Sequence, residues 1–204
     1  MNGAIAEILN AYLLALPFAD RVAGTVRPVT LVTGSEEKPV KKTIPVACNV
    51  SQPDCISGKY TDLIPNSKYK SIMYWEDNGV KLNTENITRD FNFTASLRLV
   101  CWVNLKKVGK TDCDVSALAI TNILNAIPTG YFNSGIYTRI RATMTGEIIK
   151  SSAIFSKYTY DEATTQYLMY PFDYFALDYN IIFTIPKGCI IDWENETPIV
   201  CDTK

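Results

Sequence analysis

Residues 91–108 read FNFTASLRLVCWVNLKKV, and their hydrophobicity alternates with a period of two. The odd positions are almost all apolar, whereas the even positions from Asn92 to Arg98 are polar. This pattern predicts one long β-strand with a buried face and a wet face. At about 3.3 Å per residue the strand spans on the order of 50 Å, well beyond a common strand of about five or six residues. We therefore expect part of it to project from the domain or to pair with a neighbouring subunit.

Further helices and strands are predicted on both sides of this stretch. Apolar residues at helical spacing predict a helix from about Ala4 to Leu16, ended by Pro17. They also predict a second helix that contains Val115 and Leu124 and ends near Pro128. A capping-box pattern at Thr159 predicts a short helical turn over 163–169. Alternating segments predict strands at Val26–Val32, Lys42–Val50, Ile136–Ile148 and Asp173–Pro186.

One more strand is expected at Tyr69–Trp75, which Asp77-Asn78-Gly79 turns into a hairpin with residues 80–82. The prolines at 28 and 45 favour edge positions for their two strands, because proline cannot donate a ladder hydrogen bond. Together the elements predict a single α+β domain over residues 1–204. Its sheet is mainly antiparallel and is flanked by the N-terminal helix and the central helix.

Composition narrows the possible chemistry. The chain has 20 Lys and Arg against 21 Asp and Glu, with no basic run that would indicate general nucleic-acid binding. It contains no histidine, which excludes His-based triads and His-containing zinc sites. No phosphate-binding loop, nucleophile elbow or metal-ligand spacing occurs in the sequence. We therefore predict a protein that is not an enzyme, with no catalytic, cofactor-binding or metal-binding residue.

Four acidic residues are candidates for a catalytic group: Asp161, Glu162, Asp173 and Asp178. Paired carboxylates can perform acid–base chemistry when they share one site. The first two are better explained as the start of a helix, where acidic side chains interact favourably with the dipole.

Six cysteines allow two interpretations. They form up to three disulfides if the chain is secreted, or remain reduced and structural in a cytoplasm. Four glycosylation sequons, the first at Asn49, favour secretion. The first eighteen residues contain no Lys or Arg, which argues against a signal peptide, and no apolar run is long enough for a membrane span. Reduced cysteines are the favoured interpretation.

Aromatic residues are concentrated between Tyr158 and Tyr179 and fall on both parities of the last strand. This predicts burial on both faces, or burial on one face and contact with another chain on the other. A platform for carbohydrate or base stacking is the competing interpretation, but no stripe of Arg or Lys accompanies it. We predict a subunit interface formed by Trp102, Lys106, Tyr170, Phe172 and Tyr174.

Four stretches carry a resemblance to a known class of proteins: LRLVCWVNLKKVG, DVSALAITNILNAI, IYTRIRATM and AIFSKYTYDEATTQYLMYPFDYFALDYNIIFTI. In their order and texture they resemble the small α+β proteins that form rings in the necks and tails of tailed bacteriophages, most closely the tail terminator family. The last stretch is similar to proteins of phages of gut Bacteroidetes, including the crAss-like phages. A head–tail joining protein fits equally well.

The resemblance implies a mechanical role in the virion. Identical subunits would close a sixfold or twelvefold ring that caps a tail or bridges it to the portal, after synthesis in the host cytoplasm. Its partners would be copies of itself and other neck, portal or tail proteins, with no membrane and no cofactor. Arg139 and Arg141, on the polar face of their strand, could line the lumen and touch DNA; ordinary solvated surface charges are the alternative interpretation. Simple terminators are shorter, so residues of about 34–88 would be an insertion. The alternative is a secreted or surface β-rich binding module stabilised by disulfides.

Overall fold

The computed structural model describes residues 1–35, 38–47, 63–83, 90–109, 115–159 and 165–187. They form a curled, seven-stranded sheet with helices packed on it, which confirms the predicted α+β class. The helices are α1 (Asn2–Leu13), α2 (Leu105–Val108) and α3 (Val115–Ala126), with 3₁₀ turns at Ser152–Phe155 and Gln166–Leu168. The strands are β1 (Arg21–Ser35), β2 (Lys38–Ala47), β3 (Ser71–Asn83), β4 (Asp90–Asn104), β5 (Phe132–Ser134), β6 (Tyr137–Ile149) and β7 (Phe172–Pro186).

The strand order across the sheet is β2-β1-β3-β4-β7-β6-β5. Strands β1 and β3 are parallel, and every other neighbouring pair is antiparallel. The centre of the sheet is the β4–β7 pair, which is in continuous register from Asp90 opposite Pro186 to Asn104 opposite Phe172. The mainly antiparallel sheet expected from the alternating segments is therefore confirmed.

The first core lies between α1, α3 and one face of the sheet. Helix α1 buries Ile5, Leu9 and Leu13 there, as its helical spacing predicts. Strand β4 contributes its odd positions, so the predicted apolar face is confirmed. The odd positions of β4 in this core are Ala95, Leu97, Leu99, Cys101 and Val103.

A second core covers the opposite face at one end of the sheet. The even residues Val100 and Trp102 of β4 are buried in it, beneath the 3₁₀ turn that carries Ile154 and Phe155. The half of β4 nearest α2 is thus buried on both faces. The predicted wet face exists only in the other half, where Thr94 and Arg98 are partly exposed.

The length of β4 is accounted for within the chain. Its 15 residues end at Asn104, whose side chain caps α2 by accepting a hydrogen bond from the Lys107 amide. Both edges of β4 are hydrogen-bonded, one to β3 and the other to β7 over its full length. The expectation that this strand pairs edge to edge with another subunit is therefore wrong for β4.

Strand β3 corrects a second expectation. Asp77-Asn78-Gly79 does not reverse the chain, because β3 continues from Ser71 to Asn83 with a bulge between Asp77 and Val80 opposite β4. The Asp77 carboxylate accepts the Gly79 amide at 2.8 Å, and Gly79 adopts a φ of 108°. The local turn geometry that the sequence predicts is therefore present. It inserts extra residues into β3 as a bulge and does not form a hairpin.

Strands β1 and β2, the first two, form an antiparallel pair, with Pro28 directly opposite Pro45. Strand β1 contacts β3 only between Arg21 and Val26, so Pro28 lies beyond that pairing, where the missing donor costs no ladder bond. The range of about 34–88, which the resemblance implies is an insertion, includes β3, and this strand lies in the sheet between β1 and β4. That the range is an insertion stays a prediction.

Candidate subunit interface

A short segment, residues 167–172, leads into β7 and packs against the second core. The Trp102 indole nitrogen donates to the Tyr167 carbonyl at 2.7 Å, and the indole stacks on the Phe172 ring at 5.3 Å. The Leu105 amide donates to the Pro171 carbonyl at 3.1 Å. These bonds join β4 and α2 to the segment, so its backbone is fixed by buried groups.

Two large apolar side chains project from this fixed segment. Met169 is 65% exposed and Tyr170 is 69% exposed. They lie on the rim of a cavity of about 590 Å³. Its lining residues are Ser67, Asn104, Lys106, Lys107, Gln166, Tyr167, Met169, Tyr170, Pro171 and Phe172.

A second cavity of about 320 Å³ adjoins the first, and the two share Lys107. Its apolar lining includes Phe18, from the segment that follows α1, and Leu118 of α3. The Lys107 ammonium donates to the Lys68 carbonyl at 2.6 Å, which holds the lysine between the two cavities. We call the two cavities together the Lys107 groove.

The groove is electropositive. Lys70, Lys106 and Lys107 line it, and no carboxylate is among the described residues of its walls. Lysine side chains combine an apolar stem with a charged head, so they can form a surface that is both apolar and cationic.

The five predicted interface residues differ in exposure: two are exposed, one is fully buried and two are half-buried. Tyr170 and Lys106 are exposed and line the groove together, as expected for contact residues. Trp102 needs a correction, because it is only 1% exposed and has no surface to offer a partner. Phe172 and Tyr174 are half-buried against the second core, where Tyr174 meets Phe155 edge to face at 5.4 Å.

Sequence reasoning missed Met169, Lys70 and Lys107 as groove residues. They come from three separate loops and helices, and only the fold brings them together. The one linear signal was the Lys106-Lys107 pair directly after β4, since adjacent lysines at a strand end are solvent-exposed.

Arg139 and Arg141 lie on β6, next to the edge of the sheet that β5 forms. Both guanidinium groups lie over the exposed Tyr131 ring, at 5.7 and 5.6 Å from its centroid. Arg139 has a φ of 50°, and its amide donates to the Asn133 side chain at 2.8 Å. The two arginines therefore form one exposed cationic cluster, as their shared parity suggested.

The two candidate carboxylates that the structure describes, Asp173 and Asp178, do not share a site. Asp173 contacts Lys150 at 3.2 Å, whereas Asp178 forms a bidentate ion pair with Arg98 at 2.7 and 3.0 Å. Being five positions apart on β7, they lie on opposite faces of the sheet. The hydrogen bond with Asp178 raises the pKa of Arg98. Residues 161 and 162, the other two candidates, lie outside the described residues.

A buried ionic contact escaped sequence reasoning entirely. Glu76 is 3% exposed, and its carboxylate accepts from Lys157 at 2.8 Å and from the Tyr158 hydroxyl at 2.9 Å. The partners are separated from Glu76 by more than 80 residues in the chain, so no local pattern marks them. They fasten the 152–159 segment to the sheet.

Cys101 is buried and carries a free thiol, and burial raises its pKa above the ordinary value. It is therefore inert as a nucleophile. The other five cysteines lie outside the described residues. Because Cys101 is unpaired, these five can form at most two disulfides within the chain. Within the described ranges, no group of three or more acidic or cysteine side chains could hold a metal.

No family model, curated protein or solved structure matches this chain. The fold and its surfaces must therefore carry the functional argument. No helix in the described part of the chain has the length and apolar character needed to cross a membrane.

Proposed function

We propose that this chain is a structural subunit that assembles with copies of itself into a ring in the neck or tail of a tailed bacteriophage, as a tail terminator or head–tail joining protein. The observation that carries the self-assembly is the exposure of Met169 and Tyr170 beside the Lys107 groove. The ring and the virion rest on the resemblance of the sequence to neck and tail ring proteins.

The physical case for a contact surface rests on composition and rigidity. Tyr and Met are enriched at protein interfaces, and fully desolvated aromatic anchors supply a large share of binding energy. The segment that presents them is held by Trp102 and Phe172. Little backbone freedom is then lost on association, which favours affinity.

The cluster of Arg139, Arg141 and Tyr131 supports the proposed lumen. In a closed ring each subunit repeats these two charges, so weak contacts to a DNA backbone add together. The isolated subunit has a formal net charge of −1, and we expect it to bind duplex DNA weakly. Other neck, portal or tail proteins would dock on the faces of the assembled ring.

Sedimentation velocity across a range of concentrations tests the proposal. The wild type should sediment as an oligomer, and Met169→Ala/Tyr170→Ala should weaken self-association at least tenfold. Leu14→Ala is the matched control, because Leu14, the residue directly after α1, is a comparably exposed apolar residue that is 60% accessible. A wild type that stays monomeric at every concentration, or a double variant that assembles as well as the control, would contradict the proposal.

Thiol counting separates this proposal from the secreted β-rich module. Six reactive thiols in the unfolded protein would exclude a disulfide-stabilised module. Two disulfides among the five cysteines other than Cys101 would instead favour it.

A further inference from the structure

We infer that the Lys107 groove of one subunit binds the C-terminal segment, residues 188–204, of the next copy. The inference rests on the proposed self-assembly and names the contact that produces it. The segment reads GCIIDWENETPIVCDTK and carries four carboxylate side chains against one lysine. The described walls of the groove carry three lysines and no carboxylate, so the two surfaces are complementary in charge.

The segment also matches the apolar character of the groove. Acidic and large apolar residues alternate over residues 191–194, where Ile191 and Trp193 stand on either side of Asp192. The groove offers the rings of Tyr167 and Phe172 as walls and room of about 590 Å³ in its larger cavity. An aromatic anchor in a pocket, surrounded by charge pairs at the rim, is the usual arrangement of an interface hot spot.

Distance assigns the segment to a neighbouring copy. The groove lies at the Phe172 end of β7, and the segment leaves the sheet after Lys187 at the other end. Fifteen residues of strand span about 46 Å at about 3.3 Å per residue. Glu196 follows Lys187 by nine residues, which extend at most about 32 Å. Asp192, Glu194 and Glu196 therefore cannot reach the groove of their own subunit.

A contact of this kind is heterologous, because two different surfaces meet head to tail. Repeated around an axis, such contacts close into a ring when the rotation per subunit divides a full turn. The groove and the segment at opposite ends of β4 and β7 thus supply both halves of the contact that a ring requires.

Two charge-reversal variants of the full chain test the inference. The groove variant is Lys106→Glu/Lys107→Glu, and the tail variant is Glu194→Lys/Glu196→Lys. Each alone should associate at least tenfold more weakly than the wild type in sedimentation velocity. A third variant, Lys41→Glu/Lys81→Glu, reverses two charges at exposed positions outside the groove and should associate like the wild type.

The decisive sample is an equimolar mixture of the groove and tail variants. The groove variant retains an intact tail and the tail variant retains an intact groove, so one wild-type contact forms between them. We expect the two variants to associate in the mixture through this contact, which also shows that both are folded. The two altered surfaces are again opposite in charge, Glu in the groove against Lys in the segment, so larger assemblies in the mixture also support the inference, whereas a mixture of monomers overturns it.

The outcomes separate this inference from the proposed function. Variants that both assemble like the wild type, while the wild type is oligomeric, overturn the inference and leave self-assembly standing. Loss of association in the groove variant but not in the tail variant also overturns it, since another acidic surface then occupies the groove. A wild type that is monomeric at every concentration overturns the proposed function itself.

Discussion

Trp102→Ala separates a core residue from a contact residue. The structure places Trp102 at 1% exposure, stacked on Phe172 and hydrogen-bonded to the Tyr167 carbonyl. Truncation of a buried tryptophan costs about 3–5 kcal/mol, and loss of the indole hydrogen bond adds about 1 kcal/mol. We therefore expect the free energy of unfolding to fall by about 4–6 kcal/mol, a large part of the total of about 5–15 kcal/mol for a domain.

A milder variant keeps the test informative if the alanine variant does not fold. Trp102→Phe retains a ring against Phe172 but loses the hydrogen bond and some volume, so we expect a loss of about 1.5–3 kcal/mol. Tyr170→Ala serves as the contrast. Its side chain is 69% exposed, and we expect a change within about 0.5 kcal/mol.

Urea unfolding followed by far-UV circular dichroism measures all three variants, with the midpoint and the m-value fitted together. The order of stability should be Tyr170→Ala, then Trp102→Phe, then Trp102→Ala. Equal stability of Trp102→Phe and the wild type, with weakened self-association, would refute the reasoning. That result would show Trp102 to be the contact residue that the sequence pattern suggested.

Three further predictions concern the sheet. Glu76→Ala should lower the free energy of unfolding by about 2–3 kcal/mol, because Lys157 and the Tyr158 hydroxyl lose their acceptor. Glu76→Gln keeps an acceptor and should cost about 1 kcal/mol; urea unfolding measures both variants. Burial raises the pKa of Tyr179 to about 12, so the stability that its neutral hydroxyl contributes is complete below pH 10 and falls by about 2–3 kcal/mol towards pH 12; Tyr179→Phe should make the alkaline loss of stability smaller by that amount in a pH series of melts. Gly79→Ala should cost about 1–2 kcal/mol at its positive φ, against no more than about 0.5 kcal/mol for Gly130→Ala, in thermal melts; equal costs would count against the bulge.

Residue periodicity predicts much of this fold because each main element buries one continuous face. Helix α1 and the odd positions of β4 follow their patterns closely, since the first core is built from those faces. The Asp77-Asn78-Gly79 turn failed because a turn sequence specifies local backbone geometry only. Whether that geometry reverses the chain or bulges one strand depends on the partner strand, here β4.

The site was less predictable than the fold. Aromatic residues on both parities of β7 indicated either two buried faces or a contact surface, and the structure shows both at different residues. Phe172 belongs to the second core, while the neighbouring Tyr170 is exposed. Nothing in a linear pattern distinguishes them, because burial of Phe172 depends on Trp102, 70 positions away on another strand. The same reason hid the cation set around Lys107, which three separate segments supply.

Native mass spectrometry of the wild-type protein, with negative-stain imaging of the same sample, tests the central claim most directly. The account predicts one dominant species whose mass is a multiple of the 22.8 kDa chain and whose images are closed rings. A single monomeric species that persists as the concentration is raised would contradict it. Open filaments without rings would contradict the closed-ring assembly, although the subunits would still associate head to tail.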